Sequence, residues 1–231
     1  LQAVGTILNV GDYLVTDVGD ITVQTQWSIA NIGDYSLAKD GNIKVTAGQE
    51  VINNGEYRIN GNGSINVKAT GVVNETEGEK TAAGGDISNF GNYYTKSGNI
   101  TIESNEDVLN TGVMETESGN ITESGNISII SVDGVVFNKD GADLLSGNGN
   151  VSLRAQSNDG YYYYFDAEGN LNKVPAGITP APAGDGTYTA VIDGVARIVL
   201  KNGSVFNAGD AMAIDGTITM SSTYGDVTNY D

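Results

Sequence analysis

The stretch GNIKVTAGQEVINNGEY, residues 41–57, contains the two short motifs from which most of the chain is built. The first motif, at 41–45, alternates apolar and polar residues after a glycine, as expected of a strand with one buried face. The second, at 51–57, places Asn and Gly within a second short strand, where these residue types favour a corner. The first motif begins again at Gly63, 22 residues after Gly41.

The first motif recurs along the chain. Copies begin at Gly19, Gly41, Gly63, Gly98, Gly125 and Gly149, and looser copies begin at Gly85, Gly119 and Gly216. The starts at 19, 41, 63 and 85 are each 22 residues apart, which predicts that Gly85 opens a fourth equivalent unit. One such unit cannot bury its apolar residues alone, but stacked units can. The pattern therefore predicts an all-β fold, a parallel β-solenoid.

The second motif also recurs along the chain, with Asn, Gly and Tyr at constant spacing. An Asn with a Gly two residues later occurs at Asn9, Asn31, Asn53, Asn89, Asn110 and Asn207, and a Tyr follows four residues after the Asn at Tyr13, Tyr35, Tyr57 and Tyr93. Asn74 fits the phase without the Gly. Stacked Asn amides can hydrogen-bond from one turn to the next, and stacked Tyr rings can pack in the same way. We expect both series to be structural ladders rather than ligand contacts.

These motifs resemble the haemagglutinin repeats of filamentous-haemagglutinin-type adhesins, the large exoproteins of bacterial two-partner secretion. The match is carried by residues 41–57, 98–112 and 125–136, and weaker copies cover most of residues 1–153. The resemblance implies a right-handed parallel β-helix, secretion through an outer-membrane transporter and a role as an adhesin shaft. Other β-solenoids, including autotransporter passengers, share the style of the motif.

The pattern is interrupted after Leu153. An aromatic strand and a short return strand are predicted within residues 161–171, and a second hairpin is predicted across Asp193-Gly194. The second motif then returns at residues 205–209. The chain is therefore predicted to have solenoid repeats at 1–153, an inserted extra-helical hairpin module at 154–197 and returning rungs at 198–231.

The inserted module contains the candidate binding surface. Its aromatic run consists of Tyr161, Tyr162, Tyr163, Tyr164 and Phe165. Aromatic rings on a segment outside a scaffold often contact sugars or protein partners. The same rings could instead pack the hairpin against the side of the solenoid. Trp27, the only Trp, is predicted to cover the first rungs rather than to bind a ligand.

Composition excludes several classes of function. The net charge is −18, from 11 basic and 29 acidic residues, and such a surface repels nucleic acid and anionic lipid. No apolar run is long enough to insert into a membrane. The chain has no Cys and no His, so disulfides, zinc sites and triad hydrolases are not expected. No Ca²⁺-loop motif is present, and we predict no metal, no cofactor and no catalytic residue.

Taken together, these features predict a non-catalytic shaft segment of a secreted or surface-exposed bacterial adhesin. Its expected partners are glycans or proteins on host or bacterial surfaces. A self-assembling extracellular fibre subunit is an alternative, because an open solenoid end invites end-to-end self-association. A polysaccharide-degrading β-helix enzyme is a further alternative, since such enzymes gather carboxylates on one face.

Overall fold

The structure is a computed structural model that describes residues 1–76, 79–117, 125–157, 161–166, 171–183 and 188–230. For residues 72–76, 79–83, 165 and 171 it describes the backbone alone. The described residues form no helix, and therefore none that could cross a lipid bilayer. The looser motif at 119–121, predicted as a further copy, lies outside the described residues.

Most of the described chain is short strands. The first ten are β1 (Gln2–Ala3), β2 (Ile7–Asn9), β3 (Tyr13–Val15), β4 (Ile21–Thr25), β5 (Ile29–Asn31), β6 (Tyr35–Leu37), β7 (Ile43–Ala47), β8 (Val51–Asn53), β9 (Tyr57–Asn62) and β10 (Ile65–Ala69). The next ten are β11 (Val72–Thr76), β12 (Glu79–Ala83), β13 (Ile87–Asn89), β14 (Tyr93–Ser97), β15 (Ile100–Ser104), β16 (Val108–Asn110), β17 (Met114–Thr116), β18 (Ile127–Ser131), β19 (Val136–Asn138) and β20 (Leu144–Ser146). The last ten are β21 (Val151–Ala155), β22 (Tyr162–Phe165), β23 (Leu171–Lys173), β24 (Ala181–Pro182), β25 (Tyr188–Ile192), β26 (Val195–Lys201), β27 (Val205–Asn207), β28 (Ala211–Ala213), β29 (Ile218–Ser222) and β30 (Val227–Asn229).

Three long parallel sheets form the body of the protein, which confirms the predicted parallel β-solenoid. Sheet A has the order β1-β4-β7-β10-β15-β18-β21-β29, sheet B the order β2-β5-β8-β13-β16-β19-β27-β30, and sheet C the order β3-β6-β9-β14-β17-β20-β28. Each rung contributes one strand to sheet A and then one to sheet B. Most rungs then contribute one to sheet C. Equivalent residues of successive rungs pair in register: Ile43 pairs with Ile21 in the rung before and with Ile65 in the rung after.

The core is a column of inward-facing side chains. In β7, Ile43, Val45 and Ala47 are buried, while Lys44 between them is exposed. The same alternation in the neighbouring strands places apolar side chains of successive rungs in contact along the axis. Each rung therefore completes the burial of its neighbours, as expected of a repeat that has no core of its own.

The prediction that Gly85 opens the fourth unit is wrong. Ile65 in β10 pairs with Ile100 in β15, whereas Ile87 pairs with Val51 in sheet B. Between these strands, β11 and β12 pair antiparallel as a hairpin that interrupts the fourth rung. Asn74 consequently pairs with Thr81 across the hairpin and does not join the Asn series. The hairpin happens to separate Gly63 and Gly85 by one repeat length.

A second interruption lies in the seventh rung, between β21 and β27. Here the chain forms one antiparallel sheet of the order β23-β22-β26-β25-β24, which we call the insertion sheet. The predicted aromatic hairpin corresponds to β22 and β23, and the predicted Asp193-Gly194 hairpin to β25 and β26. Asp193 and Gly194 have φ values of 51° and 77°, as a tight two-residue turn requires. The two hairpins join because β22 also pairs with β26.

Both interruptions leave the rod at the same place. The hairpin and the insertion sheet each lie in the chain between a sheet A strand and the sheet B strand of the same rung. We call this edge of the solenoid the A–B corner. The A–B corner is therefore where both antiparallel elements join the solenoid.

Candidate functional site

The Asn series forms a hydrogen-bonded ladder inside the rod. Each side-chain Nδ2 donates to the Oδ1 of the Asn in the next rung at 2.7–2.9 Å, in the order Asn9, Asn31, Asn53, Asn89, Asn110, Asn138, Asn207 and Asn229. Six of the donors also reach the carbonyl oxygen of the Gly two residues later, and Asn138 reaches that of Ala142. These seven amides therefore satisfy both a corner and a neighbouring rung.

Two members of this ladder were not recognised in the sequence. Asn138 and Asn229 lack the Gly two residues later that marked the others. The signal that could have identified them is the apolar residue two positions earlier, Val136 and Val227, which stacks in sheet B.

The Tyr series behaves differently at its two ends. Tyr35, Tyr57 and Tyr93 are fully buried and stacked, with ring centroids 4.9 Å apart and interplanar angles of 12° and 14°. Tyr13 meets Tyr35 edge-on at 5.4 Å and is 41% exposed. Burial raises the pKa of Tyr35 to about 12 and that of Tyr57 well above its ordinary value. These phenols stay neutral at physiological pH and act as core packing.

The aromatic run is divided between packing and exposure. Tyr162 and Tyr164 pack against the buried cluster of the insertion sheet, and Tyr162 meets Tyr188 edge-on at 5.0 Å. Tyr161 is 48% exposed, and the Nζ of Lys173 lies 2.7 Å from its ring centroid. Tyr163 is half-buried, and the side chain of Phe165 lies outside the described residues. Among the rings of this run whose side chains are described, Tyr161 is the most exposed.

The insertion sheet is attached to the rod through a small buried apolar cluster. Phe206 in β27 stacks on Phe137 in β19 with centroids 4.9 Å apart. Phe206 also belongs to a buried cluster with Val135 and with Leu200 of β26. Because β26 belongs to the insertion sheet, this cluster holds the sheet against the solenoid.

The A–B corner of the second, third and fourth rungs carries a groove. Its volume is about 580 Å³, and its lining comes from the ends of β4, β7 and β10 and the residues that follow them. Trp27 lines the groove and is 52% exposed. The backbone of Trp27 is held from two sides: its N–H donates to Thr25 Oγ1 and its carbonyl accepts from the N–H of Gln49, both at 3.2 Å.

Carboxyl groups collect farther along the same corner. Burial, together with the nearby carboxyl groups of Asp86 and Asp133, raises the pKa of Glu106 to about 7. Burial also raises the pKa of Asp86, which the backbone N–H of Asp107 partly offsets by donating to Asp86 Oδ1 at 3.0 Å. In the described part of the chain, no three acidic side chains are arranged as a metal-ligand set.

The chain was compared with protein families, with curated proteins and with solved structures. No protein-family model matches it, and neither a curated protein nor a solved structure matches it significantly.

Proposed function

We propose that this chain is a non-catalytic, adhesive shaft segment of a secreted or surface-exposed bacterial adhesin. The observation that carries the proposal is a rod of in-register rungs, tied internally by the Asn ladder, from which one antiparallel sheet projects with Tyr161 exposed. A rod of stacked rungs suits a spacer. A small sheet on its edge suits a contact surface.

The hydrogen bonds inside the rod support a mechanical role, in which the rod resists extension along its axis. Main-chain hydrogen bonds of the three sheets run along the axis, so a force along the rod loads many of them together. The Asn amides add a buried side-chain bond between successive rungs. A shaft that joins a cell to a surface needs this resistance to extension.

The insertion sheet supports the adhesive role. It combines an exposed phenol, Tyr161, with the ammonium group of Lys173 over the ring, on a protein whose net charge is −18. An aromatic face beside a cation can pack on a sugar ring and can accept polar groups of a glycan or a protein. The resemblance to haemagglutinin repeats, extracellular location and two-partner secretion belong to the same proposal.

A cell-binding assay tests the proposal. The purified chain, labelled at its amino terminus, is incubated with cultured epithelial cells and with bacterial cells, and bound label is measured by flow cytometry. We expect saturable binding to at least one cell type, and Tyr161→Ser should weaken it by about tenfold, as for an exposed aromatic hot spot. Tyr224→Ser is the matched control, because Tyr224 is 52% exposed on the rod itself.

Two results would overturn the proposal. One is the absence of saturable binding to every cell type. The other is release of reducing or unsaturated sugar ends when the chain is incubated with pectin or alginate, because turnover would place the protein among the polysaccharide-degrading β-helix enzymes. A secreted shaft is also expected in the culture medium or on the cell surface, which fractionation of the producing cells measures.

A further inference from the structure

The groove at the A–B corner of the second, third and fourth rungs has a lining unlike the rest of the surface. Among the described residues that form it, none is charged, although the chain as a whole carries a net charge of −18. The polar groups are the amides and hydroxyls of Gln24, Gln26, Gln49, Thr46 and Thr70. Such groups both donate and accept hydrogen bonds without selecting for charge.

The one large apolar surface in this lining is the indole of Trp27. The side chain of Trp27 is 52% exposed. By contrast, the inward-facing apolar side chains of the described strands in sheets A and B are mostly buried. An exposed indole with one flat apolar face and one N–H donor suits a ligand that is apolar on its faces and polar around its rim. The pyranose ring of a sugar has this character, with C–H groups on its faces and hydroxyls at its edge.

The groove is elongated along the rod. A shallower continuation of about 490 Å³ shares Gln24, Thr25 and Gln26 with it and extends to Gln2, Ala3 and Val4 of the first rung. Together the two regions span four rungs, or three inter-strand steps of about 4.8 Å each. At the far end, the chain leaves the rod at Gly71 to form the hairpin of β11 and β12. The hairpin therefore bounds the groove at this end.

The floor of the groove is close-packed backbone. A Cβ added at Gly48 would lie 1.9 Å from the carbonyl oxygen of Gln26, so this position accepts only glycine without displacing the rung beneath. The N–H of Gly48 donates to the carbonyl of Thr25 at 3.0 Å. A flat floor with side chains rising around it leaves room for a chain of rings lying parallel to the axis.

We propose that this groove is a binding site for neutral, linear oligosaccharides, lying lengthwise along the rod with one sugar ring against Trp27. Gln24, Gln49 and Thr46 hydrogen-bond the sugar hydroxyls. The site is separate from the insertion sheet, and the proposal goes beyond adhesion through that sheet. The net charge of −18 repels acidic polysaccharides, and no charged residue of the lining offsets that repulsion.

The sole Trp makes the site directly measurable, because Trp27 supplies all of the indole fluorescence of the chain. The complete 231-residue chain is titrated with cellohexaose, xylohexaose and maltohexaose as neutral probes and with oligogalacturonate as an acidic probe. We expect at least one neutral probe to shift and saturate the emission at about millimolar concentration, the range of weak single-site ligands. Oligogalacturonate should give no saturable change.

Variants separate the groove from other surfaces. Trp27→Ala should weaken binding by at least about tenfold, and Gln49→Ala by a smaller factor, measured by saturation-transfer NMR on the sugar, which needs no fluorophore. Phe90→Ala is the matched control, since Phe90 is 49% exposed and does not line the groove. Circular dichroism and thermal unfolding of each variant establish that it remains folded.

Salt provides a third readout. Because no charged residue lines the groove, affinity for the neutral probe should change by less than about twofold between low and about 0.5 M salt. The proposal is overturned if no neutral probe produces a saturable change, or if Trp27→Ala binds as well as the parent chain while Phe90→Ala does not. Tyr161→Ser should leave these titrations unchanged, so a failure of the groove is distinguishable from a failure of adhesion through the insertion sheet.

Discussion

The side-chain Nδ2 of Asn31 donates to the Oδ1 of Asn53, 22 positions later, at 2.9 Å, and also to the carbonyl oxygen of Gly33 at 2.6 Å. Both Asn residues are fully buried. Two hydrogens of one amide are thus used in two directions, one within a corner and one between rungs. Removing any member leaves several buried polar groups without partners, so the ladder should be costly to interrupt.

Replacing Asn53 tests the ladder. Asn53→Ala removes the partner of Asn31 Nδ2 and the donor to Asn89 Oδ1 and to the carbonyl of Gly55. We expect the free energy of unfolding to fall by about 3 kcal/mol, because each buried group left unsatisfied costs about 1–3 kcal/mol. Asn53→Asp keeps the shape but removes the donor and adds a buried charge, and should cost at least as much. Urea unfolding followed by circular dichroism measures both.

The control for this series is Asn126→Ala. Asn126 also bonds between rungs, through Nδ2 to Asn99 Oδ1 at 3.0 Å, but on the exposed surface where water can replace the partner. Its loss should cost less than about 1 kcal/mol. Equal costs at Asn53 and Asn126 would mean that burial of the ladder is not what stabilises the rod.

Removing the hydroxyl of Tyr57 should raise the stability of the protein, in contrast to the loss expected for Asn53→Ala. This oxygen is buried and has no hydrogen-bond partner among the described residues, while its ring stacks on Tyr35 and Tyr93. Tyr57→Phe keeps the stacking and removes the unsatisfied hydroxyl, so stability should rise by about 1 kcal/mol. Thermal unfolding would show a higher midpoint.

Tyr94→Phe is the matched control for Tyr57. The Tyr94 hydroxyl donates to Glu117 Oε2 on the surface, so its removal should leave stability unchanged or slightly lower. A clear loss of stability in Tyr57→Phe, larger than in Tyr94→Phe, would contradict the assignment of an unsatisfied hydroxyl.

The regular rungs could be predicted from the sequence because three residue patterns recur together, each at a constant position within the repeat. At positions 43, 53 and 57 an inward Ile, an Asn and a Tyr each recur in the neighbouring rung, and each occupies a place where only stacking satisfies it. When the apolar, amide and aromatic patterns agree, register has little freedom, since a shift by one residue would expose all three.

The hairpin in the fourth rung was missed because a single motif was followed. Gly85 lies one repeat after Gly63, but the ladder step from Asn53 to Asn89 is 36 residues rather than the 22 from Asn31 to Asn53. That longer step already indicated extra residues within the rung. The groove could not be predicted at all, because its lining joins non-repeated residues such as Trp27 and Gln49 from different rungs.

Glycine at the corner after the Asn tests how closely the rungs approach. A Cβ at Gly55 would lie 2.1 Å from the carbonyl oxygen of Gly33 and 2.9 Å from Asn31 Nδ2, so Gly55→Ala must push two rungs apart. We expect a loss of about 3 kcal/mol, in the upper range for overpacking. Urea unfolding and the soluble yield on expression report the effect.

Gly11→Ala provides the control at the same phase. In this chain nothing lies within 4 Å of a Cβ at Gly11, because Gly11 belongs to the first rung. Alanine there should change stability by less than about 0.5 kcal/mol. If Gly55→Ala were equally harmless, backbone contact between rungs would not explain why this corner is glycine.

The carboxyl of Glu106 should make stability depend on pH. Its pKa is raised in the folded protein to about 7 from an ordinary value of 4.5, mainly by burial and then by Asp86 and Asp133. Below about pH 4.5 the carboxyl of Glu106 is protonated in both the folded and the unfolded chain, and its contribution to the free energy of unfolding is at its maximum. Between about pH 4.5 and 7 the unfolded chain releases it first, so stability falls as pH rises.

Glu106→Gln removes this titration while keeping a neutral side chain of similar shape. The variant should therefore be more stable than the parent above about pH 7 and should lose part of the decline between pH 4.5 and 7. Asp210→Asn is the control, because Asp210 is an exposed carboxylate between β27 and β28, away from the A–B corner. This variant keeps Glu106 in place. Urea midpoints at a series of pH values measure the slopes. A slope that is the same in Glu106→Gln as in the parent would show that other groups of the A–B corner carry the dependence, because Asp86, whose pKa is also raised by burial, remains in both proteins.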